Sequence, residues 1–330
     1  MPDASGPSND VRHERPEIVV LGAIPEPGLE VLRGAGDTWC LTPGVSAGEL
    51  RERLASADAV VSLITDVIDD AFLDTAPRLR IVANVAVGYN NIDVDACRSR
   101  GIVVTNTPGV LTEATADLAM GLVLMVTRRL GEGERLIRSG TPWSWGMFMM
   151  LGTGLQGRRL GIVGMGDIGQ ALARRAAAFG MEIVYHNRNR VDPTVEASLD
   201  ATWLELDELL ATSDVVSLNC PYSPATHHLV DAAALETMRS SAFLVNTARG
   251  PIVDEAALAA ALRDGTIAGA ALDVFEHEPD VHPDLLGLDN VVLVPHLGSA
   301  TVETRNAMAA LAARNVVAVL DGDDAITPVG

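Results

Sequence analysis

Leu160-Gly-Ile-Val-Gly164-Met-Gly166-Asp-Ile-Gly169 sets a GxGxxG triplet directly behind a β-branched apolar run at 159–164, and a helical pattern follows at 170–179. Each glycine has a physical task. Gly164 permits a tight turn, Gly166 lets a pyrophosphate approach the backbone, and Gly169 lets the helix pack close to the strand. The helix N-terminus then faces the phosphates. A GxGxxG taken alone is weak evidence. Here it sits between a strand and a helix, and a second strand pattern follows at 181–185, which points to a dinucleotide site. Further strand-like runs lie at 214–218, 242–246, 269–272 and 291–294. With helical stretches between them, they predict a six-stranded unit of two mononucleotide-binding halves.

The same alternation precedes this unit. Strand-like runs at 17–21, 59–64, 80–85 and 102–104 are separated by helical patterns at 28–35, 47–55, 69–76 and 94–100. This βα alternation implies a second parallel sheet. Asn106-Thr-Pro-Gly109 breaks the pattern, and an Ala- and Leu-rich stretch at 112–130 reads as a buried helix opening the second unit. The alanine-rich helix at 301–320 has no partner of its own and is expected to return to the first unit. The organisation predicted is a flexible tail at 1–15, a substrate-binding domain of 16–106 plus 299–330, and a cofactor domain of 107–298. The fold class is α/β, with two doubly wound parallel-sheet domains and a cleft between them.

Charge narrows the function. The chain carries 44 acidic and 24 basic residues, for a net charge of −20. Such a surface argues against nucleic acid and anionic membranes as partners. Every basic residue is arginine. Without lysine there is no Schiff base and no P-loop cation, so an anionic substrate must be held by arginine or by backbone N–H groups. Cys40, Cys97 and Cys220 follow no CxxC spacing, and no cluster suggests a metal. No apolar run is long enough to span a bilayer, and the chain reads as soluble and cytoplasmic.

The loop after the second strand, Tyr185-His-Asn187-Arg188-Asn-Arg190, lacks the acid that usually holds a ribose 2′-hydroxyl. Asn187 stands there instead. Removing the carboxylate removes repulsion of a 2′-phosphate, and Arg188 can pair with one. NADP(H) is therefore preferred, with NAD(H) possible. Ligands of open α/β sheets gather beyond the strand carboxyl ends. Arg249, Asp273 and His296 each follow an apolar run, as do Val87 and Gly88. Reduction of a 2-keto acid needs a cation for the carboxylate, a proton donor, and a group that keeps the donor protonated and oriented. Arg249, His296 and Glu278 have the right chemistry, although each alone also fits a surface charge or a packed residue.

Several motifs together resemble those of the D-isomer-specific 2-hydroxyacid dehydrogenases. They are Val87-Gly-Tyr-Asn-Asn-Ile-Asp93, Thr105 to Asp117, the Gly164 loop, Asn246-Thr-Ala-Arg-Gly250, Leu272-Asp-Val-Phe-Glu-His-Glu-Pro279 and Pro295-His-Leu-Gly-Ser-Ala-Thr301. The resemblance spans about residues 17–320 and is greatest to the glyoxylate/hydroxypyruvate reductase branch. It implies a flavodoxin-like substrate domain and a Rossmann cofactor domain. It implies that Arg249 binds the substrate carboxylate and carbonyl, that His296 is the acid, and that Glu278 bonds His296. Val87 and Gly88 would offer N–H groups to the carboxylate, and Ile64 would wall the pocket. Cofactor contacts would come from Thr115, Gly164, Gly166, Asp167, Ile168, Gly169, Asn187, Arg188, Cys220, Pro221, Thr226, Thr247, Ala248, Asp273, His296 and Gly298. It further implies a homodimer, with Trp143 or Trp145 reaching a partner's site or serving only in packing. The substrate would be a small 2-keto or 2-hydroxy acid. Other readings remain: a D-3-phosphoglycerate dehydrogenase or another D-2-hydroxyacid dehydrogenase, or a non-enzymatic NAD(H)-sensing protein on the same scaffold. The methionine-rich stretch 147–150 has no assigned role.

Overall fold

The computed structural model describes residues 15–329, so the expected tail lies outside the described residues except for Arg15. That arginine donates to the carbonyls of Arg33 and Gly36. The chain divides into two compact units, one running to Pro108 and resuming at Arg305, the other comprising Gly109–Thr304.

The first unit alternates β1 (Glu17–Val20), α1 (Glu26–Ala35), β2 (Asp37–Cys40), α2 (Ala47–Ser56), β3 (Ala59–Ser62), α3 (Asp70–Leu73), β4 (Ile81–Asn84), α4 (Val94–Ser99) and β5 (Val103–Thr105). Its strands pair in parallel in the order β2-β1-β3-β4-β5, the flavodoxin-like arrangement. β3 and β4 are buried along their whole length, as expected of parallel strands covered on both faces. β2 was not anticipated. Asp37-Thr-Trp-Cys is an edge strand with no fully buried residue, so it lacks the apolar run that marks its neighbours.

The second unit comprises α5 (Thr112–Thr127), α6 (Leu130–Arg138), β6 (Arg159–Val163), α7 (Asp167–Ala178), β7 (Glu182–His186), α8 (Pro193–Leu199), β8 (Ala201–Trp203), α9 (Leu206–Thr212), β9 (Val215–Leu218), α10 (Ala232–Thr237), β10 (Phe243–Asn246), α11 (Glu255–Asp264), β11 (Gly269–Leu272), α12 (Pro283–Leu286) and β12 (Val291–Leu293). Seven strands, not six, form a parallel sheet in the order β12-β11-β10-β9-β6-β7-β8. The extra strand, β8, is again a short, partly exposed edge. Strand order reverses between β6 and β9, the switch point at which ligands of this architecture bind.

The expected helix at 112–130 ends early. α5 stops at Thr127, and Arg129 turns into the left-handed region with φ 53°. α5 buries Ala116, Ala119, Leu122 and Val123 in a core shared with α7 and the sheet. By contrast α6 buries no residue. The segment after it leaves Trp145, Met147 and Phe148 between 72% and 88% exposed. The last helix, α13 (Val302–Asp321), carries the chain back. It packs Ala309, Ala312, Ala313, Val316 and Val319 against Ile18, Val20, Val61 and Ile81 of the first sheet.

Part of the acid excess is structural. Asp69, Asp93, Asp231 and Asp254 each cap a helix by accepting from a backbone N–H three residues on. All three cysteines are free thiols. Among the described residues no helix is long and apolar enough to cross a membrane.

Candidate active site

The carboxyl ends of β6, β9, β10 and β11 place most of the residues singled out above at one edge of the second sheet. Gly164 follows β6 with φ +104°, and a Cβ there would lie 2.4 Å from the Cys220 nitrogen. Only glycine allows the β6 loop to lie this close to the loop after β9. Gly166 caps α7, and a Cβ on it would meet nothing within 4 Å. Open space therefore stands in front of the helix N-terminus, with Asp167, Ile168 and Gly169 in its first turn. Two buried polar atoms nearby, Asn219 Oδ1 and Thr247 Oγ1, have no protein partner. Buried polar atoms are seldom left so unless a ligand completes them. These features fit a dinucleotide. Thr226 serves its own turn, accepting from Ser223 N and bonding the Pro221 carbonyl. Burial pushes the Cys220 thiol up to about 11, so it stays a neutral thiol.

Asn187 has a bracing role that the sequence did not reveal. Its Oδ1 accepts from Met165 N at 2.7 Å, and its carbonyl accepts from Trp203 Nε1. It therefore ties the β7 loop to the glycine-rich loop. Arg188 is exposed and, among the described residues, pairs with no acid.

Asn246 ends β10 and shapes the next turn: its Oδ1 accepts from Ala248 N and its Nδ2 donates to the Arg249 carbonyl. Gly250 closes the turn, where a Cβ would fall 1.9 Å from the Phe275 backbone. The Arg249 loop and the loop after β11 thus touch backbone to backbone. The Arg249 guanidinium donates to the Ala248 carbonyl and forms no ion pair among the described residues. Burial pushes it below its ordinary range, the Glu278 charge opposing. A desolvated cation without an anion is a site that calls for one.

His296 Nδ1 lies 2.8 Å from Glu278 Oε2, and Phe275 N donates to Glu278 Oε1. Burial would raise the Glu278 carboxyl, but the His296 hydrogen bond and charge, the Phe275 N–H and Arg249 outweigh it and hold the group low. With Nδ1–H directed at a carboxylate, Nε2 is the nitrogen left for a ligand. The backbone of His296 is in the left-handed region at φ +53°. Asp273 fixes that turn, since its carbonyl accepts from His296 N and its carboxylate accepts from Leu297 N and Gly298 N. Burial raises its carboxyl despite those two donors. Thr115 of α5 borders Gly298, the nearest atom being 3.4 Å from where a Cβ would sit.

The first unit carries the remaining candidates. Ile64 follows β3, and Val87 and Gly88 follow β4. The Val87 and Gly88 carbonyls accept from Asn106 and Asn84 side chains. Their N–H groups find no protein acceptor among the described residues and remain available.

A second histidine–acid pair was missed by the sequence reading: His228 Nε2 lies 2.7 Å from Glu276 Oε1. Glu276 also accepts from Glu255 N, and His228 stacks on His227 at 4.0 Å. This pair has its acceptors and neighbours supplied locally. The roles of Asn246 and the Phe275 N–H also went unseen, because they depend on loop contacts with no sequence period.

The family profile described as "D-isomer specific 2-hydroxyacid dehydrogenase, NAD binding domain" matches residues 120–298. The chain belongs to the D-isomer-specific 2-hydroxyacid dehydrogenases. Within that family it falls in the glyoxylate reductase branch. It is 46% identical over 316 residues to a glyoxylate reductase of Thermococcus litoralis, covering 94% of this dehydrogenase and 95% of that one. A glyoxylate reductase structure from Paecilomyes thermophila superposes with a TM-score of 0.86 at 34% identity, covering 94% and 97% of the two chains. An NADPH-dependent glyoxylate/hydroxypyruvate reductase from Sinorhizobium meliloti, in complex with NADP and malonate, gives 0.83 at 38% identity over 96% and 97%.

Proposed function

We propose that this dehydrogenase reduces a small 2-keto acid, glyoxylate or hydroxypyruvate, to the D-2-hydroxy acid with NADPH. The observation carrying the chemistry is the half-buried Arg249, without an ion pair among the described residues, on a loop packed against the one that holds Glu278, the partner of His296. Similarity to proteins named glyoxylate reductase supports the substrate class. The NADP-bound relative and the presence of Asn187 in place of an acid after β7 support the cofactor preference.

When bound, the reduced nicotinamide would supply the hydride. Arg249 would hold the carboxylate and balance the charge that develops on the carbonyl oxygen. His296 would deliver a proton from Nε2 to that oxygen, with the Glu278 hydrogen bond at Nδ1 keeping the imidazole oriented for transfer. Val87 and Gly88 N–H groups are assigned to the carboxylate, and Ile64 to the pocket wall. Thr115, Ala248, Asp273 and Gly298 are assigned to the nicotinamide end of the cofactor, and Pro221 and Thr226 to the loop beside its pyrophosphate. We assign a homodimeric assembly, supported by the unburied α6 and the exposed Trp143, Trp145 and Phe148.

The test is nicotinamide absorbance with glyoxylate and hydroxypyruvate, each with NADPH and NADH. Rapid NADPH oxidation with either acid is expected, clearly faster than NADH oxidation. Cofactor binding without turnover of any 2-keto acid would overturn the reading in favour of a sensing protein.

A further inference from the structure

Two arginines follow β7, yet only one is free. Arg190 makes a fork to Glu196 of α8, Nε to Oε1 at 3.1 Å and Nη2 to Oε2 at 3.2 Å. Its guanidinium also lies 5.8 Å from the Trp203 ring centroid. Glu196 is held from the other side, accepting the Tyr185 hydroxyl at 2.6 Å, and Tyr185 is fully buried. The same hydroxyl accepts from Val191 N. A core tyrosine, a helix carboxylate and an indole thus fix one arginine in place. The Tyr185 and Arg190 hydrogen bonds hold the Glu196 carboxyl low, and the Glu196 bond raises Arg190. Two residues away, Arg188 is exposed and pairs with no acid among the described residues.

We propose that Glu196 sets the strength of cofactor discrimination by holding Arg190 out of phosphate binding, leaving Arg188 as the one arginine for a 2′-phosphate. This rests on the NADPH reading above. The Arg190–Glu196 pair is neutral as a unit, so the loop offers one positive charge where the sequence suggests two. Glu196 is here a positioning residue, acting through Arg190, and the subsite takes a ribose 2′-phosphomonoester.

The test uses calorimetric binding of adenosine 2′,5′-bisphosphate and adenosine 5′-monophosphate, the ratio of affinities reporting the 2′-phosphate alone. Glu196→Gln keeps an acceptor for Tyr185 but releases the charge. The ratio should rise about two- to fivefold, the range of an exposed ion pair, and the gain should vanish in Glu196→Gln/Arg190→Ala. Arg190→Ala alone should leave the wild-type ratio unchanged, which a direct phosphate ligand could not do. An unchanged or lower ratio in Glu196→Gln, or a lower ratio in Arg190→Ala, overturns the proposal while the wild-type preference stands. A wild-type protein with no preference, indifferent to Arg188→Ala, overturns the NADPH reading and this proposal with it.

Discussion

The two ends of the seven-stranded sheet treat charge in opposite ways. Where its strands begin, polar groups are matched inside the protein. Asp214 accepts from Arg158, from Arg239 and from the Arg159 backbone N–H, and Arg159 in turn pairs with Glu182. Where the strands finish, groups are left wanting. Among the described residues Arg249 has no ion pair and Asn219 Oδ1 and Thr247 Oγ1 have no partner, while Gly164 and His296 hold left-handed backbone. One end is finished by the chain itself, and the other needs a ligand to be finished. Unmet polarity and backbone strain gather at functional sites for this reason.

The contrast can be broken from either side. The largest effect should come from His296→Gln, which removes the proton donor. Turnover should fall about 10²–10⁴-fold, while NADPH binding, followed by fluorescence, stays close to wild type. Loss of cofactor binding as well would show that His296 is not primarily an acid. Arg249→Gln should lower kcat/KM for the keto acid by about 10²–10³. Because it deletes a half-buried, desolvated cation that has no ion pair among the described residues, its unfolding midpoint in urea should not drop. A large drop would mean that Arg249 is a structural residue.

At the finished end the pattern inverts. Asp214→Ala strands three donors and should cost about 1–3 kcal/mol of stability with kcat unaltered, measured by urea unfolding beside the absorbance assay. The smallest effect concerns acid. Glu278 is held below its ordinary value of 4.5 in the folded protein. Its contribution to stability is therefore complete above 4.5 and is lost as pH falls through the lower folded value. Asp273 is raised above 3.8, so its contribution is greatest below 3.8 and declines as pH rises through the folded value. Glu278→Gln should flatten the acid limb of stability against pH, and Asp273→Asn should steepen it. Identical slopes in the two variants would contradict both assignments.

Buried strands and the glycine-rich turn were legible because burial on both faces leaves continuous apolar runs, and close backbone approach leaves glycine. β2 and β8 were not, since edge strands such as Asp37-Thr-Trp-Cys need no such run. Arg249, Glu278 and His296 could be nominated by type and position after strands. Spacing could not separate His296–Glu278 from His228–Glu276, which differ in what surrounds them and not in composition. Asn187 was readable as the absence of an acid. Its tether to Met165 joins loops that the sequence sets 22 residues apart, and only the folded chain brings them together.

The return of α13 to the first sheet orders the events of synthesis. Residues 109–304 form a continuous unit whose sheet is complete once that stretch has left the ribosome. The first sheet emerges earlier but lacks part of the cover of one face until the end. Ile18, Val20 and Ile81 wait for Ala309, Ala313 and Val316, Arg80 waits for the carbonyls of Val319 and Leu320, and Asn106 waits for Thr327. The half of the protein made first is thus the half finished last, and a ribosome that stalls before codon 305 releases a chain with one complete unit and one sheet whose face beside α1 is left partly uncovered.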